Sequence, residues 1–302
     1  MKKISVIGLS GMSVFMTVDH FHAKGETVTA DSLFEEAGGK GFNQAVAVKR
    51  LGTECAFLSA IGHDANGTMC RDTLKKEGIV SLLPEKNIKT AYAAILTDKA
   101  GENKVTVYRG AFLGESDVCA FEEHIASSDL LLLQLEVPIN VNIKAADIAK
   151  KHNVPYILNP APITLCDKDI KRLCENALFI TPNEAEAKTV FGCLTDDIAD
   201  IFEEYMQSGI KRAVVTLGDR GCAVLMNGRC SVIPAKKVKA VDTTGAGDVF
   251  NGAFCVKLAE SLELADDEKY IKGCAEYASK AAAYSVQRHH VIDSIPYADS
   301  LM

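Results

Sequence analysis

An α/β fold is predicted for this chain: a mostly parallel sheet with helices over both faces, plus a small β-sheet lid. Three observations carry the prediction. From about residue 40 onward, strand-like and helix-like segments alternate. Several strands are continuous apolar runs, DLLLL at 129–133 above all, which suit a parallel sheet buried on both faces. Two early segments of alternating character, 13–20 and 27–35, and a hairpin at 91–97 and 104–109 around the turn DKAGEN interrupt the alternation and supply the lid.

In chain order, a buried strand at 4–8 precedes the two early lid segments. A helix at 43–51, an extended run at 55–61 and a helix at 66–77 follow. After the hairpin the alternation resumes with the strand 129–133, a helix at 137–152 and strands at 156–158 and 177–180. Strands at 213–218 and 221–226 and two helices from about 246 and 266 complete the layout. There is no internal repeat, low-complexity tract or long linker, so residues 1–302 read as one domain with lid strands from about 12–36 and 90–112 inserted.

The 302 residues are 48% hydrophobic and 24% charged, a profile of globular protein with a large core. A formal net charge of −7, with no block of five basic residues, argues against nucleic acid or an anionic membrane as partner and leaves small-molecule chemistry. The start, MKKISVIGLSGMSVFMTV, imitates a signal peptide, but Ser5, Gly8, Ser10, Gly11 and Ser13 break it up and no small-x-small cleavage pattern follows. No apolar run approaches the ~20 residues that span a bilayer. A cytoplasmic location is expected. The ten cysteines include no Cys-x-x-Cys; most, such as Cys55, Cys119, Cys222, Cys255 and Cys274, fall in apolar runs and read as small core residues of a reducing compartment. The pair His20 and His22 reads as alternation along a lid strand, because two histidines without a further ligand do not make a metal site.

Two glycine clusters carry the chemistry. In VDTTGAGDVFNGAF, residues 241–254, Asp248 stands where an apolar helical pattern begins, after the nearly bare Gly245, Ala246 and Gly247. A helix N-terminus offers unpaired N–H groups and a positive dipole end, so such a turn suits an anion, and a carboxylate beside it suits removal of a hydroxyl proton. On this stretch alone, Asp248 reads equally as a helix cap and the glycines as a turn. In EAGGKGFNQAVAVKRLG, residues 36–52, Gly38, Gly39, Lys40 and Gly41 stand at the start of another helix with Asn43 and Gln44 in its first turn, and bare backbone together with Lys40 and Asn43 suits hydrogen bonds to a polyhydroxyl compound. The Gly-Lys-Ser/Thr ending of a Walker A loop is absent, and no Gly-x-Gly-x-x-Gly follows the first strand.

With GGKGFNQA near the start and DTTGAGDVFNGAF near the end, the sequence resembles the ribokinase-like, or PfkB, family of carbohydrate kinases. The landmarks GETVTA (25–30), LLLQLEVP (131–138), NPAP (159–162), TPNEAE (181–186) and TLGDRG (216–221) agree in order, so the resemblance spans nearly the whole chain. It implies a three-layer α/β/α domain and ATP-dependent phosphorylation of a hydroxymethyl group on a pentose or related sugar. Asp248 would be the catalytic base and Gly245, Ala246 and Gly247 the anion hole, since positioning and charge stabilisation are what a protein contributes to phosphoryl transfer. The acceptor would be held at Gly11, Ser13, Gly38, Gly39, Lys40, Asn43 and Glu136, and the nucleotide at Asn183, Thr216, Gly218, Gly221, Gly247 and Ser279. Mg²⁺ would be organised by Asn183 and Glu186 through water. K⁺ would sit at Asp242 and Thr244, completed by the C-terminal loop around Ser285, Arg288, His290 and Ser294. A homodimer joined through the lid is expected.

The departures bear on the acceptor. Ribokinases carry an Asn and an Asp that grip sugar hydroxyls where this chain has Gly11 and Ser13, and His289 and His290 stand where the cation loop usually has small residues. Losing a carboxylate that accepts two hydroxyls weakens binding by roughly 1.5 to 3 kcal/mol unless another group replaces it. A nucleoside kinase of the same family, including one for pseudouridine-like substrates, is the alternative within the enzyme class. A non-catalytic sugar-binding regulator is the alternative outside it, and the intact Gly-Ala-Gly-Asp turn argues against that.

Overall fold

A computed structural model describes all 302 residues. The apolar runs do build the central layer. Nine strands form one sheet, in spatial order Arg229–Ile233, Cys222–Met226, Arg212–Thr216, Phe179–Ile180, Tyr156–Asn159, Leu130–Gln134, Lys3–Ile7, Glu54–Leu58 and Val80–Leu82. All neighbours are parallel except the pairs made by Cys222–Met226 with the strands on its two sides. Leu130 to Leu133 are fully buried and alternate between two cores, Leu130 and Leu132 in one and Leu131 and Leu133 in the other. That is the behaviour expected of a strand covered on both faces.

One face carries the helices Lys40–Arg50, Ala246–Ala259 and Glu268–Ser285, the other Ile139–Lys151, Lys168–Asn176, Glu184–Phe191 and Ile198–Gln207. The three layers are therefore helix, sheet, helix. The lid is a separate four-stranded sheet, in the order Ala30–Gly38, Gly11–Val18, Ala91–Thr97 and Asn103–Tyr108. Its first two strands pair antiparallel, with Gly11 opposite Gly38 and Ser13 opposite Glu36.

Several expectations shift. The first lid strand ends at Val18 instead of reaching residue 20, so His20 and His22 do not alternate along it. Beyond Val18, Glu26 accepts from the Ala23 N–H and the His20 ring, a local set of bonds that replaces the ladder. The second lid strand runs Ala30–Gly38, three residues later than the pattern 27–35, because its last residues are held opposite Gly11 and Met12. The helix expected at 43–51 begins at Lys40. Cys119 is exposed and fills no core, although Cys55, Cys222, Cys255 and Cys274 do. The hairpin lies where its pattern put it.

The helices Lys40–Arg50 and Ala246–Ala259 pack together without intervening side chains at Gly252, where a Cβ would lie 2.5 Å from that of Ala47 and 3.1 Å from the Gln44 carbonyl oxygen. Gly252→Val should therefore destabilise the protein by about 1 to 3 kcal/mol through overpacking. Thermal denaturation reads this; an unchanged melting temperature contradicts backbone-close packing of the two helices.

Candidate functional site

The sheet presents the carboxyl ends of its parallel strands to the two glycine turns, the place where open α/β sheets bind ligands. Gln134 closes Leu130–Gln134, Asn159 closes Tyr156–Asn159, and Thr181 and Asn183 follow Phe179–Ile180. Each is a polar residue ending an apolar run, and Gln134, Asn159 and Thr181 are buried.

Asp248 lies at their convergence. It does not cap its helix: Gly245 is the N-cap, so Asp248 falls in the first turn and its carboxylate is free to point elsewhere. Asn43 Nδ2 donates to Asp248 Oδ2 at 2.8 Å and Gln44 Nε2 donates to Oδ1 at 3.0 Å. Gln44 is in turn held by Gln134, whose Nε2 donates to Gln44 Oε1 at 2.6 Å, and it also donates to Asn159 Oδ1 at 3.2 Å. Asn159 donates to the Thr181 carbonyl, and Asn251 Nδ2 donates to the Gly247 carbonyl at 2.8 Å. Thr181 Oγ1 bonds Asn251 Oδ1. A continuous buried network thus runs from the first glycine helix through the sheet ends to the second.

Burial pushes the Asp248 carboxyl upward, and Lys40 and the two amide donors oppose it. Lys40 is held protonated above its ordinary range, chiefly by Asp248 and further by Glu136 and Glu186. Its backbone N–H donates to Glu136 Oε2 at 2.7 Å, and burial pushes the Glu136 carboxyl up to about 7 against the pull of Lys40. One ammonium is therefore within electrostatic reach of three carboxylates. Asn43 Oδ1 is buried without a partner and faces the same space as Ser13 Oγ, since a Cβ on Gly38 would lie 3.0 Å from Ser13 Oγ and 3.7 Å from Asn43 Oδ1. An orphaned acceptor beside a carboxylate and an ammonium suits a hydroxyl donor.

Of the acceptor positions, Gly11, Ser13, Gly38, Gly39, Lys40, Asn43 and Glu136 gather around this space. Gly11 is fixed by packing: a Cβ there would lie 2.7 Å from the Ala91 carbonyl oxygen, so an asparagine cannot be restored without parting two lid strands. At Gly247, by contrast, a Cβ would meet nothing within 4 Å, so the N-terminus of its helix is open on that side.

Asn183 and Glu186 cap each other's backbone, Glu186 N–H to Asn183 Oδ1 and Asn183 N–H to Glu186 Oε2, both at 2.8 Å. Glu186 keeps its second oxygen and lies near enough to Lys40 and Asp248 to feel both, a donor set that fits a water-clad Mg²⁺. Thr216 bridges to Asn183, Gly218 and Gly221 shape the turn after it, and Ser279 contacts Cys222 at 3.5 Å. Around the cation loop, Asp242 Oδ1 accepts from the Thr244 N–H, whereas four side chains are engaged elsewhere. Ser285 donates to Ala282, Arg288 to Tyr284 and Ser294 to Val291, and His290 stacks on Phe34. Of the expected K⁺ residues, Asp242 and Thr244 are thus joined to each other by a hydrogen bond.

Sequence reasoning assigned no role to Gln44, Gln134, Asn159, Thr181 or Asn251. The available signal was a buried-type position carrying an amide or hydroxyl, as in LLLLQ and YILN.

The residues 1–298 match the model of the pfkB family of carbohydrate kinases, and the chain belongs to that family. It is 36% identical over 305 residues to the ribokinase of Haemophilus influenzae, covering 98% of this chain and 95% of that protein. It is 34% identical over 310 residues to the bifunctional ribokinase/ribose-5-phosphate isomerase A of Fructilactobacillus sanfranciscensis, covering all of this chain and 56% of that longer protein. The structure of Arabidopsis thaliana ribokinase complexed with ribose and ATP superposes with a TM-score of 0.86 at 27% identity, over 100% of this chain and 98% of that one.

Glu136 makes stability depend on pH with a definite sign. Its folded carboxyl holds a proton up to about 7, whereas its ordinary value is 4.5. The unfolded chain releases that proton first, so this contribution falls as pH rises from about 4.5 to about 7. The difference in melting temperature between wild type and Glu136→Gln, without ligands, should change across that window in favour of the variant at the higher pH. Parallel curves contradict the burial of this carboxyl.

Proposed function

We propose that this chain is an ATP-dependent kinase that phosphorylates a hydroxymethyl group of a pentose of the ribose type. One observation carries the reading: the Asp248 carboxylate is held by Asn43 and Gln44 in the first turn of a helix whose N-terminal amides are open at Gly247. A non-catalytic binder has no need of a base beside an anion site. The ribokinase relatives, and the related structure described as holding ribose and ATP, favour a pentose over a nucleoside.

In this reading the acceptor lies under the lid, its hydroxyls met by the free Asn43 oxygen, Lys40, Glu136, Ser13 and the backbone of Gly11, Gly38 and Gly39. The reacting hydroxyl loses its proton to Asp248 as its oxygen bonds the γ-phosphorus and the bond to the ADP oxygen breaks. Negative charge on the transferring group meets the N–H groups of the Gly245, Ala246 and Gly247 turn and the helix dipole. Lys40 opposes the upward push that burial exerts on the Asp248 carboxyl. Asn183 and Glu186 would hold Mg²⁺ through water, and the ion would supply positive charge to offset the nucleotide phosphates. Thr216, Gly218, Gly221 and Ser279 form the nucleotide side. Asp242 and Thr244, with carbonyls of the loop at 285–294, would hold K⁺ beneath the turn.

The lid supports a homodimer: its outer strand Asn103–Tyr108 is exposed throughout, Val105 and Val107 included, and such an edge invites pairing with a second copy. No helix is long and apolar enough to cross a membrane, and the proposed location is the cytoplasm. Sedimentation at twice the chain mass, and faster turnover in K⁺ than in tetramethylammonium at fixed Mg²⁺, are the corresponding readouts; a single-chain mass or equal rates contradict them.

Asp248→Asn should lower kcat on ribose by about 10²- to 10⁴-fold, as loss of a general base does, while the folded state persists. A Cβ at Gly247 meets no protein atom within 4 Å, so Gly247→Val should fold and lose activity because its side chain occupies the anion's place. Near-wild-type turnover in either purified variant contradicts the assigned roles.

A further inference from the structure

Glu36 lies two residues before the end of the lid strand Ala30–Gly38, just ahead of the first glycine turn, and is only 8% exposed. Its two oxygens grip successive amides of the C-terminal loop: Val291 N–H donates to Oε1 at 2.9 Å and Ile292 N–H to Oε2 at 3.0 Å. Burial, together with Asp293 and Asp242, opposes its ionisation, and only those two amides favour it. A carboxylate kept at such cost fixes the orientation of two peptide planes.

Two neighbouring contacts extend the grip. His290 stacks on Phe34 of the same lid strand, ring centroids 3.5 Å apart, and adopts φ 68°, a backbone conformation that side chains other than glycine seldom take. The Val291 side chain packs directly on Gly245, where a Cβ would lie 2.4 Å from Val291 Cγ1. Gly245 is the N-cap of the helix bearing Asp248. Across the lid ladder Glu36 faces Ser13, so both side chains leave the sheet on the acceptor's side.

We propose that Glu36 is a positioning residue for phosphoryl transfer: by holding the Val291 and Ile292 amides it seats Val291 against Gly245, and so aligns the N–H groups of the Gly245–Gly247 turn with the lid strand that covers the acceptor. The inference rests on the assignment of that turn as the anion hole. Misplacement by a fraction of an ångström is enough to slow such a reaction, because aligned donors act only at the right distance.

Kinetics of the full chain with ribose and Mg-ATP test it. Glu36→Ala should lower kcat by roughly 10- to 100-fold with both KM values within about 3-fold of wild type. Val291→Ala keeps both amide bonds but loses the packing on Gly245, and should show the same selective fall in kcat. Glu36→Gln retains one acceptor oxygen and should recover part of the rate. A raised KM for ribose at unchanged kcat in Glu36→Ala overturns the proposal in favour of direct sugar binding, and a Val291→Ala enzyme with normal kcat overturns it as well. Should Glu36→Ala not fold, Glu36→Gln and Val291→Ala decide the matter by the same criteria. A second readout needs no acceptor: affinity for ADP with aluminium fluoride, a mimic of the transferring phosphoryl group, against ADP alone. Glu36→Ala should weaken the former by roughly 10-fold and leave the latter unchanged; equal effects on both, or none, overturn the proposal. A wild type that phosphorylates no sugar yet shows this preference would defeat the pentose reading and support the inference.

Discussion

The crossing of two glycine-headed helices is the constraint on which the rest of the site depends. Lys40–Arg50 carries the acceptor-side groups, and Ala246–Ala259 carries Asp248 and the open amides. Because Gly252 lets the second helix approach the backbone of the first, Asn43 and Gln44 reach Asp248 at direct hydrogen-bond distance. A buried carboxylate is costly, and Lys40 with these two donors opposes the upward push of burial on the Asp248 carboxyl. The same crossing places one ammonium among the Asp248, Glu136 and Glu186 carboxylates, so the acceptor and phosphate sides share one electrostatic environment.

Much of this was legible in the sequence. The apolar runs gave the parallel sheet, and the bare Gly245-Ala246-Gly247 turn before an apolar helix marked an anion site. The role of Asp248 as cap or base was undecided from its stretch alone, because the N-cap position differs from it by three residues; the cap is Gly245, which leaves the Asp248 carboxylate unspent. The buried relay through Gln44, Gln134 and Asn159 was hidden for a different reason. Its members are joined by pairings of 90 to 204 positions, and a glutamine ending LLLLQ has no identifiable partner until the sheet order sets strand 130–134 beside strand 156–159. The lid boundaries moved for a local reason, since bonds among Ala23, His20 and Glu26 outcompete a ladder past Val18.

The acceptor side departs from ribokinases in a connected way. Gly11 is required by the closeness of Ala91, Ser13 is neutral, and the nearest lid carboxylate is Glu36 on the adjoining strand, committed to the C-terminal loop. The charge that would grip hydroxyls from position 13 is thus absent, while a carboxylate one strand away ties the lid to the loop packed on Gly245, in the turn proposed to receive phosphate. In the proposed function, recognition of the sugar then falls chiefly to Asn43 and Lys40 on the helix Lys40–Arg50 and to Glu136 in the turn after Leu130–Gln134, outside the lid sheet.

Asp248 and the open helix start are proposed to act on the two ends of one transfer, and a crystal structure with ribose and a non-hydrolysable ATP analogue measures this most directly. It should place the acceptor hydroxymethyl oxygen about 2.6 to 3.2 Å from an Asp248 oxygen, with the γ-phosphoryl group over the amides of Gly245 to Gly247. A hydroxymethyl group directed away from Asp248, or a γ-phosphoryl group bound off that turn, would contradict it.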